Sequence, residues 1–333
     1  MTWKMPAEWE RHERTWLSFP ASEYSTPIED SYRAWSAVAN TASEYEPVTV
    51  LVDPAQEQIA KKYLSQETST LICNLDDSWI RDNGATFVVN TASGKLGAID
   101  WRFNGWGSLP FEDYQNDDLV ASFMAKQAQA EIIRSEMVNE GGGIHVNGNG
   151  VLMVTETVQL GQERNPDWTK SEVEQELKER LGVEEIVWIR RGLTRDYEAY
   201  GTKGHIDIVA CFSDQQTILM HDQTDSSHPD FSVSHEVSAR LAQLREMNVI
   251  KVPAPKVLKD SHGFVDYSYI NHYILNGAVL LCAFDDENDV EAKAILAEAY
   301  PGREIRLIDA RPIFAKGGGI HCITQQQPAV SPN

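Results

Sequence analysis

The chain has 333 residues, 42% of them in the hydrophobic set, with a formal net charge of −21 and a sequence pI near 4.8. This length can bury a large core, and it fits one enzyme built of repeated units as well as two domains. Acidity on this scale argues against nucleic acid and anionic membranes as partners, and it is compatible with a cationic small molecule.

Taken in chain order, the periodicities predict a helix over 29–45, a strand VTVLV at 48–52, a helix over 55–64 and a strand ATFVV at 85–89. A helix over 117–129 and a strand GVLMVT at 150–155 follow, then a helix over 170–181 and a strand EEIVWI at 184–189. HIDIVACF (205–212) and QTILMH (216–221) read as strands, and HDQTDSSHPDF (221–231) as a loop. The last elements are a helix over 234–246, a strand at 276–284, a helix over 288–299 and a strand at 304–308. Alternation of strand and helix specifies an α/β fold. With no low-complexity linker, the expectation is a single domain over 1–333.

No run reaches the ~18 apolar residues of a membrane helix. The opening MTWKMPAEWERHERTW lacks the apolar h-region of a secretory signal. Cys73, Cys211, Cys282 and Cys322 are far apart and form no CxxC pair. A disulfide framework is therefore not expected, and a cytoplasmic location is. HExxH and paired Cys/His spacings are missing, so no metal is expected.

The pentapeptide GGGIH occurs twice, at 141–145 and 317–321, followed by valine in the first copy and cysteine in the second. GTKGHIDI (201–208) is a fainter echo. Recurrent glycine turns and duplicated β/α units around an axis both account for this pattern. Three glycines allow close backbone approach to a ligand, which suits Cys322 as a nucleophile. A buried inert thiol is the alternative, and it fits the other three cysteines better, since each lies in an apolar run.

In an extended segment His205 and Asp207 would share a face, with Ile206 turned to the core, placing a general acid/base beside a carboxylate. His321 adjoins Cys322 and would point away from it if extended, so neither it nor His145 is the expected base. DDSWIRDNG (76–84) concentrates carboxylates, an indole and an arginine. There Trp79 could pack on a planar cation and Asp82 could bind a guanidinium, unless the stretch is merely an Asp/Asn-rich turn. Glu140 adds a carboxylate just before the first glycine triplet. A thiol, a histidine, several carboxylates and an aromatic plate together suit attack on a flat cation whose central carbon is electrophilic, which describes a guanidinium.

MPAEWERHERTWLSFP (5–20), DDSWIRDNGATFVV (76–89), FNGWG (103–107), EGGGIHVNGNG (140–150), RNP (164–166), GHID (204–207), SYINHYILNGAVL (268–280) and GGGIHCITQQQP (317–328) resemble, in order, the agmatine deiminase and bacterial peptidyl-arginine deiminase family. The resemblance implies a single α/β propeller of five pseudo-symmetric units around a central site, with the two GGGIH copies as equivalent turns. It also implies that Cys322 attacks the guanidinium carbon. His205 would protonate the departing ammonia and then activate water, and Asp82 and Asp207 would hold the guanidinium nitrogens. Glu140 would orient His205 or complete the acidic cage, and Trp79 would line the channel. The covalent intermediate would be a thiouronium, and no cofactor would be needed. The partner would be a small cationic guanidino compound, by default agmatine, and the family suggests a homodimer or higher oligomer.

One departure bears on the substrate. Typical members carry [D/E]-T-D-G-H-x-D, where this chain has Gly201-Thr202-Lys203-Gly204-His205-Ile206-Asp207. If Lys203 faces the pocket, it repels an amine and welcomes a carboxylate. Free arginine or another guanidino acid is therefore the alternative substrate, with peptidyl arginine and a non-catalytic guanidino-binding protein further behind. An amidinotransferase fits the motifs less well, and a serine hydrolase is disfavoured because GxSxG does not occur.

Overall fold

The computed structural model describes residues 2–21, 28–107, 113–198 and 200–330. Five of its sheets repeat one pattern: a first strand runs antiparallel to a second, and a helical crossover leads to a third strand parallel to that second one. Ile144–Val146, Val151–Thr155 and Glu185–Ile189 form one such sheet, joined by the helix Lys170–Leu181. Ala210–Phe212, Thr217–Asp222 and Asn248–Pro253 form the next, through the helix Asp230–Leu241. Tyr273–Ile274, Ala278–Ala283 and Glu304–Asp309 form another, through Asn288–Ala299. In a fourth, Thr86–Asn90, Leu96–Arg102 and Glu131–Val138 are joined through Val120–Gln127, and Trp3–Lys4 adds an outer strand.

The fifth sheet is closed by the far end of the sequence. Gln325–Pro328 lies antiparallel to His12–Ser18, which pairs in parallel with Val48–Val52, and that strand with Thr68–Ile72. A two-stranded ribbon, Lys259–Asp260 with Gly263–Phe264, stands apart from this series.

Local chemistry explains the crossovers. The helix Lys170–Leu181 starts in a capping box made by Thr169 and Glu172 and stops at Gly182, whose φ is 68°. Val173, Leu177 and Leu181 form its buried stripe and pack with Leu152 and Val154 of the sheet beneath. The central strand Ala278–Ala283 is apolar on both faces because helices and neighbouring units cover both.

Some elements depart from the sequence-based expectation. The predicted strand 205–212 begins only at Ala210, and Ile206–Ile208 is a 3₁₀ turn instead. The helix expected at 234–246 runs over Asp230–Leu241, so the loop expected at 221–231 shrinks from both ends. The strand Gln325–Pro328 escapes periodicity altogether because its residues are polar. It is buried nonetheless, and Trp16 Nε1 donates to Gln327 Oε1 at 3.1 Å.

Candidate active site

Each repeated sheet delivers a polar side chain from the segment that enters its first strand. Asp82 precedes Thr86–Asn90, Glu140 precedes Ile144–Val146, and His205 and Asp207 precede Ala210–Phe212. Asn271 precedes Tyr273–Ile274, and Cys322 precedes Gln325–Pro328. Gly142 marks where three of them meet. A Cβ there would lie 2.5 Å from His205 Nδ1 and 2.9 Å from both Asp207 Oδ2 and Asp82 Oδ1.

Asp82 sits on the short helix Ile80–Asn83. Its Oδ1 accepts from Gly142 N at 2.9 Å and its Oδ2 from Trp106 Nε1 at 2.9 Å, which fixes the carboxylate plane. His205 has its Nε2 3.2 Å from Glu140 Oε2. Arg164 Nε donates to both oxygens of Glu140, at 2.8 and 3.0 Å, and its Nη2 to Thr202 O at 2.6 Å. Asp196 accepts from Thr202 N, Gly204 N and His205 N, so one carboxylate anchors the turn that carries the histidine.

Cys322 is buried, and Asn271 Nδ2 donates to its Sγ at 3.3 Å. The thiol lies 3.6 Å from Asp207 Oδ2. His321 Nδ1 stands 2.9 Å from that same oxygen, and its Nε2 2.9 Å from Glu8 Oε1. Among the described residues, the buried His205 Nδ1 and Asp207 Oδ1 have no hydrogen-bond partner. Trp79 closes another side. A Cβ on Gly318 would be 2.8 Å from its ring and 3.0 Å from Cys322 Sγ. The indole is held by a bond from Nε1 to Asp77 Oδ2 at 3.1 Å and by edge packing on Trp35.

The electrostatics follow from burial among like charges. Burial raises the Cys322 thiol well above its ordinary range, and Asp207 and Asp82 raise it further. Burial also raises Asp82, against the pull of His205. Burial works against a charged His205, but Asp82 and Glu140 overcome it and push its pKa up to about 9. Burial likewise opposes an ionised Glu140, and Arg164 and His205 hold it down to about 2. The result is a protonated thiol facing two carboxylates and an imidazolium, an arrangement that a planar cation would complete.

Of the residues expected from sequence, Cys322, His205, Asp207, Glu140, Asp82 and Trp79 come together. Lys203 does not join them, because its Nζ donates to Glu198 O at 2.7 Å and Tyr197 O at 3.3 Å. Gly201 is dictated by packing, since a Cβ there would fall 2.0 Å from Asp196 O. His205 and Asp207 do face one centre, with Ile206 in the core, but through a 3₁₀ turn and not the pleat of a strand. The segment carrying His321 and Cys322 is a turn and not extended, and both side chains reach the same oxygen, Asp207 Oδ2. Residue-type reasoning missed Glu8, Arg164, Asp196 and Asn271. Three of these lie in motif stretches (MPAEWERHERTW, RNP, SYINHYILNG), so the resemblance marked the segments without marking these residues.

A buried thiol, a histidine and carboxylates brought together by repeated α/β units suit the class of enzymes that modify guanidino groups. The profile of the Porphyromonas-type peptidyl-arginine deiminases matches residues 4–328, and the chain belongs to that family. A Streptomyces avermitilis relative is 46% identical, over 98% of this chain and 97% of its own. The agmatine deiminase of Ectopseudomonas mendocina is 35% identical, over 98% and 95%. The solved structure of the Enterococcus faecalis agmatine deiminase superposes with a TM-score of 0.92 at 30% identity, covering 98% of this chain and 96% of that one. Among the described residues no helix is long and apolar enough to cross a membrane.

Proposed function

We propose that this site hydrolyses agmatine to N-carbamoylputrescine and ammonia, within a single catalytic domain whose five repeated units surround the centre as a propeller. The supporting observation is the meeting of Asp82, Asp207 and His205 over Gly142, with Cys322 Sγ 3.6 Å from Asp207 Oδ2. A guanidinium held between Asp82 and Asp207 presents its carbon to the thiol. Its positive charge offsets the two carboxylates that keep the thiol protonated, so thiolate formation and substrate binding are coupled.

As the guanidinium binds, the thiol releases its proton to solvent, and the thiolate adds to the guanidinium carbon. One C–N bond then breaks, and His205 gives its proton to the departing ammonia, leaving a thiouronium on Cys322. Water enters with His205 as the base, the C–S bond breaks, and the thiolate returns with release of the ureido product. Glu140, fixed by Arg164, holds the imidazolium in line. Asn271 directs the sulfur, and Trp79 covers the flat face of the substrate.

The homologues named for agmatine favour that substrate. The case for a guanidino acid rested on Lys203 facing the pocket, and its ammonium is instead committed to the carbonyls of Tyr197 and Glu198. The test is release of ammonia and ureido product from agmatine, free arginine, 4-guanidinobutyrate and an arginine peptide, with Cys322→Ala as blank. Agmatine should be turned over best and the variant should be silent while still binding it. Preference for free arginine or the peptide would overturn the substrate, and turnover by the variant would overturn the mechanism.

A further inference from the structure

Behind the thiol lies a buried chain of charged groups that the reaction steps above do not use. His321 stands between two carboxylates, with Nδ1 2.9 Å from Asp207 Oδ2 and Nε2 2.9 Å from Glu8 Oε1. A neutral imidazole has one N–H, and its other nitrogen would then meet a carboxylate lone pair to lone pair. The geometry therefore calls for both nitrogens protonated. Glu8 is itself tied down, since Arg81 Nη1 lies 3.3 Å from its Oε1 and His145 Nε2 3.8 Å from its Oε2. Arg81 Nε also donates to His321 O at 3.2 Å, joining this layer to the backbone next to Cys322.

We propose that Glu8 is a positioning residue for the reaction: by holding His321 as an imidazolium, it keeps Asp207 ionised and its Oδ1 aimed at the substrate. This rests on reading Asp207 as a ligand of the guanidinium. The groups facing His321 are Asp207 and Glu8, which favour its charge, Arg81, which opposes it, and His145 and His272, which burial holds down to about 4 and so leaves uncharged near neutral pH. Removing the Glu8 charge leaves burial and Arg81 opposed by one carboxylate only. His321 then loses its proton at a lower pH, and Asp207 loses the cation that compensates it in a buried setting.

The test is ¹⁵N-histidine NMR together with pH profiles of kcat/KM for wild type, Glu8→Gln and Glu8→Asp, with His321→Asn used to assign the signal. In the wild type His321 should show two protonated ring nitrogens at pH 8. In Glu8→Gln it should show one, and kcat/KM should fall about ten- to hundredfold at pH 8 while recovering toward wild type at pH 6. Glu8→Asp should restore part of the alkaline activity. A neutral His321 in the wild type, or an equal loss at every pH, would overturn the proposal. The NMR state is read without turnover, so an error in the assigned reaction would show separately, as ammonia release by Cys322→Ala.

Discussion

A Cβ placed on Gly142 would stand 2.5 Å from His205 Nδ1. The backbone of one unit thus passes directly beneath an imidazole nitrogen of another, at a distance no larger side chain can share. Gly142 N also donates to Asp82 Oδ1, so the same peptide both clears the space and orients a carboxylate. Gly142→Ala should leave the protein folded and displace His205 from its line with Glu140. We expect kcat to fall by about a hundredfold, because misplacement on the ångström scale has that effect on aligned groups. Activity within a few-fold of wild type would show that the histidine can shift without loss.

Asp196 gathers Thr202 N at 2.6 Å, Thr202 Oγ1 at 2.7 Å, Gly204 N at 2.6 Å and His205 N at 3.2 Å. Asp196→Ala leaves buried donors without an acceptor, which should lower stability by about 2 kcal/mol or more. The turn would loosen, so kcat should fall more than KM rises. Denaturant melts and steady-state kinetics check this together. A variant that is less stable but fully active would confine Asp196 to a structural role.

The pKa of His205 is raised to about 9 in the folded protein, with Asp82 and Glu140 overcoming the cost of burial. Between the ordinary histidine value and about 9 the folded state keeps a proton that the unfolded chain releases. The stabilisation is therefore complete below about pH 6.5 and is lost as pH rises through about 9. Melting temperatures of wild type and His205→Gln, measured from pH 6 to 10, should differ in that window, with the wild type declining more steeply. Parallel curves would mean that His205 is not held charged.

Much of the chemistry was legible because it is concentrated in short stretches. Cys322 stands beside its glycines, Asp82 and Trp79 share one heptapeptide, and His205 and Asp207 are two residues apart. What supports them was not legible, because each support is distant in sequence from the residue it holds. Glu8 meets His321, Arg164 meets Glu140, and Asn271 meets Cys322, all pairs joined only by folding. The HIDIVACF stretch misled for a related reason. Its β-branched composition reads as a strand, but Asp196, upstream of it, captures the Gly204 and His205 amides and bends the segment into a turn. Lys203 was misplaced because sequence shows a charge but not its direction, and two carbonyls of its own loop capture the ammonium.

The pairing of Gln325–Pro328 with His12–Ser18 has a consequence for the order in which the molecule is made. A ribosome delivers His12–Ser18 early and the strand that covers it only after more than three hundred further residues. Until then this sheet keeps an open hydrogen-bonding edge, the kind of surface that recruits other chains. Cys322 emerges just ahead of that closing strand, and Arg81 binds both the His321 carbonyl and Gln325 Oε1. Closure of the edge and placement of the Cys322 thiol are thus one event, and a nascent chain halted before residue 325 would carry neither a placed thiol nor a protected sheet.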